Sequence, residues 1–332
     1  MSFEETQAQR TLREPVDGPI ALVLAGGGAR GAYEAGALSV LLPELERRGE
    51  RPTLAVGTSV GAINAAVFAE TAHLPAEKAA TEAVKRWREV RKRRVIRPLL
   101  PRRLPLMMLR YAAEVLSVPG VRVQALLDPS PLAANLERWL DWAVLHENIA
   151  NGVVDTLAVV ASSAETGRSV VFVEHDRGET LPEHPSHDVD YVAARIARPH
   201  IEASAAIPFL FPPVRIDVPT VAAGWYLDGG TRLNTPIKPA LELGAQRVLI
   251  ISTDAVAPPP LPAEADEPPP DFGTGVLHLL DRTLVDPLIR DLRHLAHVNT
   301  YLADAAQETA LRHYRTARGK LPYRQIPYLF VA

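Results

Sequence analysis

Two short stretches hold residue types at spacings that suit nucleophilic chemistry. Residues 57–61 read Gly-Thr-Ser-Val-Gly, a G-x-S-x-G pentapeptide centred on Ser59, and residues 225–230 read Trp-Tyr-Leu-Asp-Gly-Gly, with Asp228 ahead of a double glycine. When a G-x-S-x-G turn joins a strand to a helix, its serine sits in strained backbone with the hydroxyl held clear of the sheet. Gly57 and Gly61 remove bulk on either side of Ser59. A helix starting near Val60 would aim its free N–H groups and positive end at the same place. Negative charge developing on an attacked carbonyl would be stabilised there.

The serine needs a base. None of the ten histidines stands in an informative motif. His294, His297 and His313 lie in polar helical surroundings, and His175 and His200 border strands or loops; all read as structural. Asp228 is the better candidate, because a strand entering a double-glycine turn can present its carboxylate at the sheet's edge. A carboxylate with a reference pKa of about 3.9 is a weak base in water. It becomes effective when desolvation and a short hydrogen bond to the serine hydroxyl raise its basicity. On local sequence alone the simpler reading is an Asp-Gly turn, with Asp228 bonded to its own backbone.

A third stretch, LVLAGGGARGAYEAG at 22–36, contains Gly26, Gly28 and Gly31 in G-x-G-x-x-G spacing. A dinucleotide fold also wants an acid at the end of the second strand, about 20 residues on. Here that strand, Thr-Leu-Ala-Val-Gly, holds no acid, and Glu50 precedes it. A phosphate-binding Walker loop wants Lys and then Ser or Thr after its last glycine, whereas Gly31 is followed by Ala32 and Tyr33. The backbone N–H groups of Gly26 to Gly31 instead suit an oxyanion hole opposite Ser59, with Arg30 adding positive charge. A nucleotide-binding protein built on this loop stays open as the alternative.

These residues must be held by a recognisable order of elements. Residues 19–26 predict a buried strand, 29–49 a helix ending at Gly49, 53–57 a second strand and 60–70 a small-residue helix. This β-α-β-α order within fifty residues predicts a mostly parallel sheet flanked by helices. Further on, 77–118 predict basic helical segments broken by prolines, 129–148 an amphipathic helix, and 155–175 two strands around a Glu-Thr-Gly turn. Residues 202–214 predict a short helix ended by Pro208; 225–230 and 246–253 predict strands. Residues 275–317 predict long helices, followed by a closing strand in Gln-Ile-Pro-Tyr-Leu-Phe-Val-Ala.

Taken in order, GGGARG at 26–31, GTSVG at 57–61, ASAAIP at 203–208 and DGG at 228–230 resemble the patatin-like phospholipase family. The resemblance spans about residues 19–255 and implies a three-layer α/β/α sandwich with a mostly parallel central sheet. It implies a lipid acyl hydrolase, with Ser59 as nucleophile and Asp228 as base in a Ser-Asp dyad without histidine. It also implies backbone oxyanion donors at Gly27, Gly28 and Ala29. Gly26, Gly31, Gly229 and Gly230 complete the motifs, and all four elements are intact. Ser204 and Pro208 read as a pocket wall beside the dyad, and Asn234 and Pro236 as shaping the loop beyond the DGG turn. The chemistry requires no cofactor and no metal, and the implied substrate is a lipid or phospholipid. A homologue that binds lipid without turnover stays open.

The net charge of −3 is unevenly spread. Residues 85–110 hold eleven Lys and Arg against Glu89 alone, a net +10, which leaves −13 on the remainder. With Trp87 and a run of Leu and Met, this segment reads either as a lid or peripheral membrane contact, its arginines meeting lipid phosphates, or as a surface helix pair packed on the body. It lacks a nucleic-acid-binding signature. There are no cysteines. The expected organisation is a polar tail at 1–18, a catalytic domain at 19–255 with a basic insertion at about 77–120, a Pro-rich loop at 256–272, and helices and a closing strand at 273–332. No apolar leader and no run of 18 apolar residues occur. That favours the cytoplasm, with peripheral membrane association or export by another route left open. Head group, acyl position and oligomeric state are not legible.

Overall fold

The computed structural model describes residues 18–90, 97–98, 127–128, 130–175, 181–182, 189–253, 291–317 and 324–332. The readings of the N-terminal tail, the Pro-rich loop and most of the basic insertion fall outside these residues.

The chain opens with β1 (Ile20–Leu24), α1 (Gly31–Arg47), β2 (Pro52–Thr58) and α2 (Val60–Thr71), the β-α-β-α order its apolar pattern predicts. α3 (Ala76–Glu89) follows. Arg97–Pro98, expected to be helical, instead form a two-residue strand, β3, antiparallel to β4 (Leu127–Asp128). The expected helix over 129–148 is two, α4 (Ser130–Trp139) and α5 (Trp142–Ala150). Asp141 divides them, because its carboxylate accepts the N–H groups of Ala143 and Val144 at 3.0 and 3.2 Å and so starts a new helix. β5 (Thr156–Ser163) and β6 (Ser169–His175) form the expected antiparallel pair.

β7 (Val189–Ala193) and β8 (Val214–Ile216) are short strands that the apolar pattern does not announce. Between them α6 (Arg198–Ser204) starts and ends earlier than the expected helix at 202–214. Residues 207–213 hold three prolines and a positive φ of 68° at Phe209, which a continuing helix does not accept. β9 (Gly224–Asp228), α7 (Gly230–Leu233), α8 (Ile237–Glu242) and β10 (Arg247–Ile251) follow. After helical residues 291–302 and α9 (Ala305–Thr316), the chain closes with β11 (Tyr328–Val331).

The main sheet runs β11-β10-β1-β2-β5-β6-β7, with β9 on β5 and β8 on β9. Every neighbour along that path is parallel except β5-β6. Its inner strands are apolar on both faces. Leu22, Leu24, Ala55, Leu157 and Val159 pack towards one buried cluster with α1, α2, α5 and α6. Ala21, Val23, Leu54, Val56 and Val160 pack towards another with α8 and Leu292 and Leu295. Both faces covered is the condition under which parallel strands read as continuous apolar runs. The result is a three-layer α/β/α sandwich, as expected from the sequence. All of α2 is buried, and Ala62, Ala65, Ala66 and Ala69 let it lie close against the sheet. Among the described residues no helix is long and apolar enough to cross a membrane.

Candidate active site

Ser59 occupies the single position between β2 and α2. Its backbone has φ 55° and ψ −121°, a region that non-glycine residues avoid and that holds strain of about 1–3 kcal/mol. The turn is tight enough that a Cβ on Gly57 would collide with the carbonyl of Gly61, and one on Gly61 with the carbonyl of Leu24. The Ser59 N–H donates to Ser204 Oγ at 2.8 Å, and that hydroxyl donates to the Val160 carbonyl at 2.5 Å. Ser204, expected to be a wall residue, thus ties the elbow to α6 and β5. Thr58 Oγ1 donates to the Leu233 carbonyl at 2.9 Å, joining the elbow to the turn that carries Asp228.

Asp228 ends β9. Its N–H donates to the Ala206 carbonyl at 2.9 Å, and the Gly230 N–H donates to Oδ1 at 2.6 Å. The aspartate therefore makes the local turn bond that its sequence context suggested, and Oδ2 is left without a well-aligned hydrogen-bond partner. Both Ser59 and Asp228 are buried, at 6% and 4% exposure. Burial pushes the Asp228 carboxyl up to about 6, opposed by hydrogen bonding from the Ser59 side chain and the Gly230 N–H. Among the described residues, the polar side chains that meet Ser59 and Asp228 include no histidine. His200 is buried with burial holding its pKa down, accepts the Ala197 N–H through Nδ1 at 3.0 Å, and packs edge-on against Phe172.

The glycine loop runs from β1 into a 3₁₀ turn at Gly28–Arg30 and then α1. Gly26 lies against the elbow. Its N–H donates to the Asn234 carbonyl at 3.0 Å, Asn234 Nδ2 donates to its carbonyl at 3.2 Å, and a Cβ there would stand 3.3 Å from Ser59 Cβ. Gly28 has a φ of 55°, which favours glycine by conformation. Gly26, the first glycine of the loop, thus stands beside Ser59. Arg30 is exposed, and its guanidinium donates to the Thr253 and Gly27 carbonyls at 3.3 and 3.4 Å. Gly229 packs on the Val160 carbonyl, and Gly230 opens α7.

Trp87, expected among the bilayer-docking residues of 85–110, turns inward. It packs against the core cluster and donates from Nε1 to Asn64 Oδ1 at 2.7 Å. The remaining apolar residues of that segment lie outside the described residues, apart from Val90 at the end of α3. Among the described residues no group of three or more His, Asp or Glu is placed to hold a metal ion.

Fold and site together define a three-layer α/β protein with a strained serine elbow facing a glycine loop and a buried carboxyl. The chain belongs to the patatin-like phospholipase family, whose sequence model matches residues 22–241. It is also similar in structure to VipD from Legionella pneumophila, at 13% sequence identity and a TM-score of 0.38. That match covers 94% of this chain and 61% of the VipD chain. Comparison with curated protein sequences gave no match.

Proposed function

We propose that the protein is a serine acyl hydrolase that cleaves fatty acyl ester bonds of lipids or phospholipids. Ser59 is the nucleophile, Asp228 the base, and the N–H groups of Gly27, Gly28 and Ala29 are the oxyanion donors, with Arg30 adding positive charge beside them. The observation that carries this reading is a buried carboxyl, raised to about 6, in contact with a serine held on strained backbone at a helix N-terminus.

The chemistry follows in balanced steps. Asp228 takes the proton of Ser59 as Oγ attacks the ester carbonyl, and the glycine loop holds the oxyanion. Collapse expels the alcohol, which takes the proton back from Asp228, and leaves an acyl-serine. Water, deprotonated by Asp228, then attacks, the fatty acid leaves, and the proton returns to Ser59. No step draws on a cofactor. Peripheral contact of residues 85–110 with a lipid surface belongs to the same proposal, without Trp87.

The test is intact-protein mass spectrometry after treatment with a fluorophosphonate. One adduct on the wild type, none on Ser59→Ala and slow labelling of Asp228→Ala are expected. A wild type that takes no adduct, even with anionic lipid vesicles present, would overturn the reading.

A further inference from the structure

Beneath the glycine loop lies a buried polar network that the acyl-transfer steps do not use. Glu34, in the first turn of α1, has no exposed surface. Its Oε2 accepts from Asn64 Nδ2 at 2.7 Å, while Oε1 has no hydrogen-bond partner and the nearby Ala25 N–H donates to the Ile251 carbonyl at 3.1 Å. Asn64, on α2 little more than a turn beyond Ser59, donates through the same Nδ2 to the Gly31 carbonyl at 3.0 Å. Its Oδ1 accepts from Trp87 Nε1 on α3. The ring of Trp87 lies so close over Gly31 that a Cβ there would stand 2.7 Å from Cζ2.

The connections have a direction. Ala25 precedes the glycine loop and Gly31 ends it. The sheet holds the first through the Ala25 N–H on the Ile251 carbonyl, and Asn64 and Trp87 hold the second, with Glu34 bonded to Asn64. Asn64 is rooted in the helix whose N-terminus carries Ser59, so one amide sets the loop against the elbow. Its donor and acceptor atoms are both engaged, which fixes the orientation of the amide. Of the polar side-chain atoms of Glu34, Asn64 and Trp87 only Glu34 Oε1 is without a hydrogen-bond partner, and a buried network so engaged rigidifies what it touches.

Resting on the reading of Ser59 and the loop given above, we infer that Glu34, Asn64 and Trp87 are positioning residues. They hold the Gly31 end of the Ala25–Gly31 loop against the helix that carries Ser59, and none of them touches the reacting atoms. Burial pushes the Glu34 carboxyl up to about 8, opposed by the hydrogen bond from Asn64, so it is mostly neutral at pH 7 and a glutamine is its near-isostere. A misplacement of the donors by about 1 Å is enough to slow acyl transfer on the order of a hundredfold without changing what binds.

The experiment measures kcat and KM for p-nitrophenyl butyrate on the full chain, with thermal midpoints alongside. Asn64→Ala and Glu34→Ala are expected to lower kcat about ten- to a hundredfold while KM stays within roughly twofold. Glu34→Gln recovers most of the loss of Glu34→Ala. Trp87→Phe, which keeps a ring over Gly31 and removes only the N–H, lowers kcat about three- to tenfold. Where the alanine variants do not fold, Trp87→Phe decides. Folded Asn64→Ala and Trp87→Phe proteins with wild-type kcat would overturn the proposal, and so would a Glu34→Gln no better than Glu34→Ala. A wild type that neither hydrolyses the ester nor takes a fluorophosphonate removes the Ser59 reading and this proposal together. A reactive wild type matched by its variants removes this one alone.

Discussion

Ser59 and Asp228 meet because two strands share one edge of a third. β6 pairs with β5 from Thr156 to Ser162 and fills one edge, so β2 and β9 must lie on the other. β2 ends there with Thr58 opposite Val160, and β9 ends with Asp228 opposite Ala161. The two strands run head to head, and the residue after Thr58 faces the carboxylate of Asp228. The Ser204 hydroxyl, spanning the Ser59 N–H and the Val160 carbonyl, pins the junction.

The raised carboxyl of Asp228 sets a pH dependence of both activity and stability. As the proposed base it must be ionised, so kcat/KM on a soluble ester should rise with pH and level off above an apparent pKa near 6. Between the ordinary value of 3.8 and about 6 the folded chain holds a proton that the unfolded chain has released. Folding therefore takes up a proton in that window, and this group's contribution to stability falls as pH rises through it. Asp228→Asn should remove that slope and gain stability at pH 7, with an upper limit of about 3 kcal/mol, while losing turnover. Urea unfolding at pH 4 and pH 7 on both proteins checks the sign.

The positive φ of Ser59 predicts an opposition between stability and chemistry. Ser59→Ala keeps the strain and Ser59→Gly relieves it, because glycine has no Cβ to clash at this φ. The glycine variant should be more stable than the alanine variant by about 1 kcal/mol. Both should be inert to fluorophosphonate. Chemical denaturation of the pair decides the point, and equal midpoints would contradict it.

Ser204→Ala should loosen the elbow. It leaves the buried N–H of Ser59 and the carbonyl of Val160 without their bridging hydroxyl, a loss of about 1–3 kcal/mol. Because Ser59 is what the bridge holds, kcat should fall about tenfold or more with little change in KM. A stability loss with unchanged kcat would make Ser204 a packing residue only.

Gly61→Ala is expected to be the most disruptive of the small substitutions. Its Cβ would run into the backbone carbonyl of Leu24, and a rigid strand cannot yield as a side chain does. Loss of stability of roughly 1–3 kcal/mol or more follows from overpacking, measured as a drop in thermal midpoint.

Much of this was legible in the chain itself. The apolar runs at β1 and β2, each followed by glycine and then helical spacing, determined a parallel α/β sheet, because only continuous apolar strands can be covered on both faces. Gly57 and Gly61 around Ser59 determined the elbow, since no side chain fits there. Local pattern did not determine the breaks after Ser204 and at Asp141, the short strands β7 and β8, or the inward turn of Trp87. A two- or three-turn helix and a three-residue strand are decided by what packs on them, which periodicity does not carry. The pairing of Asp228 with Ser59 was of the same kind. Locally the aspartate was a turn residue, and it does make the turn bond through Oδ1. Only the antiparallel placement of β9 at the end of β2 buried the other oxygen and raised its pKa, because desolvation depends on neighbours distant in sequence.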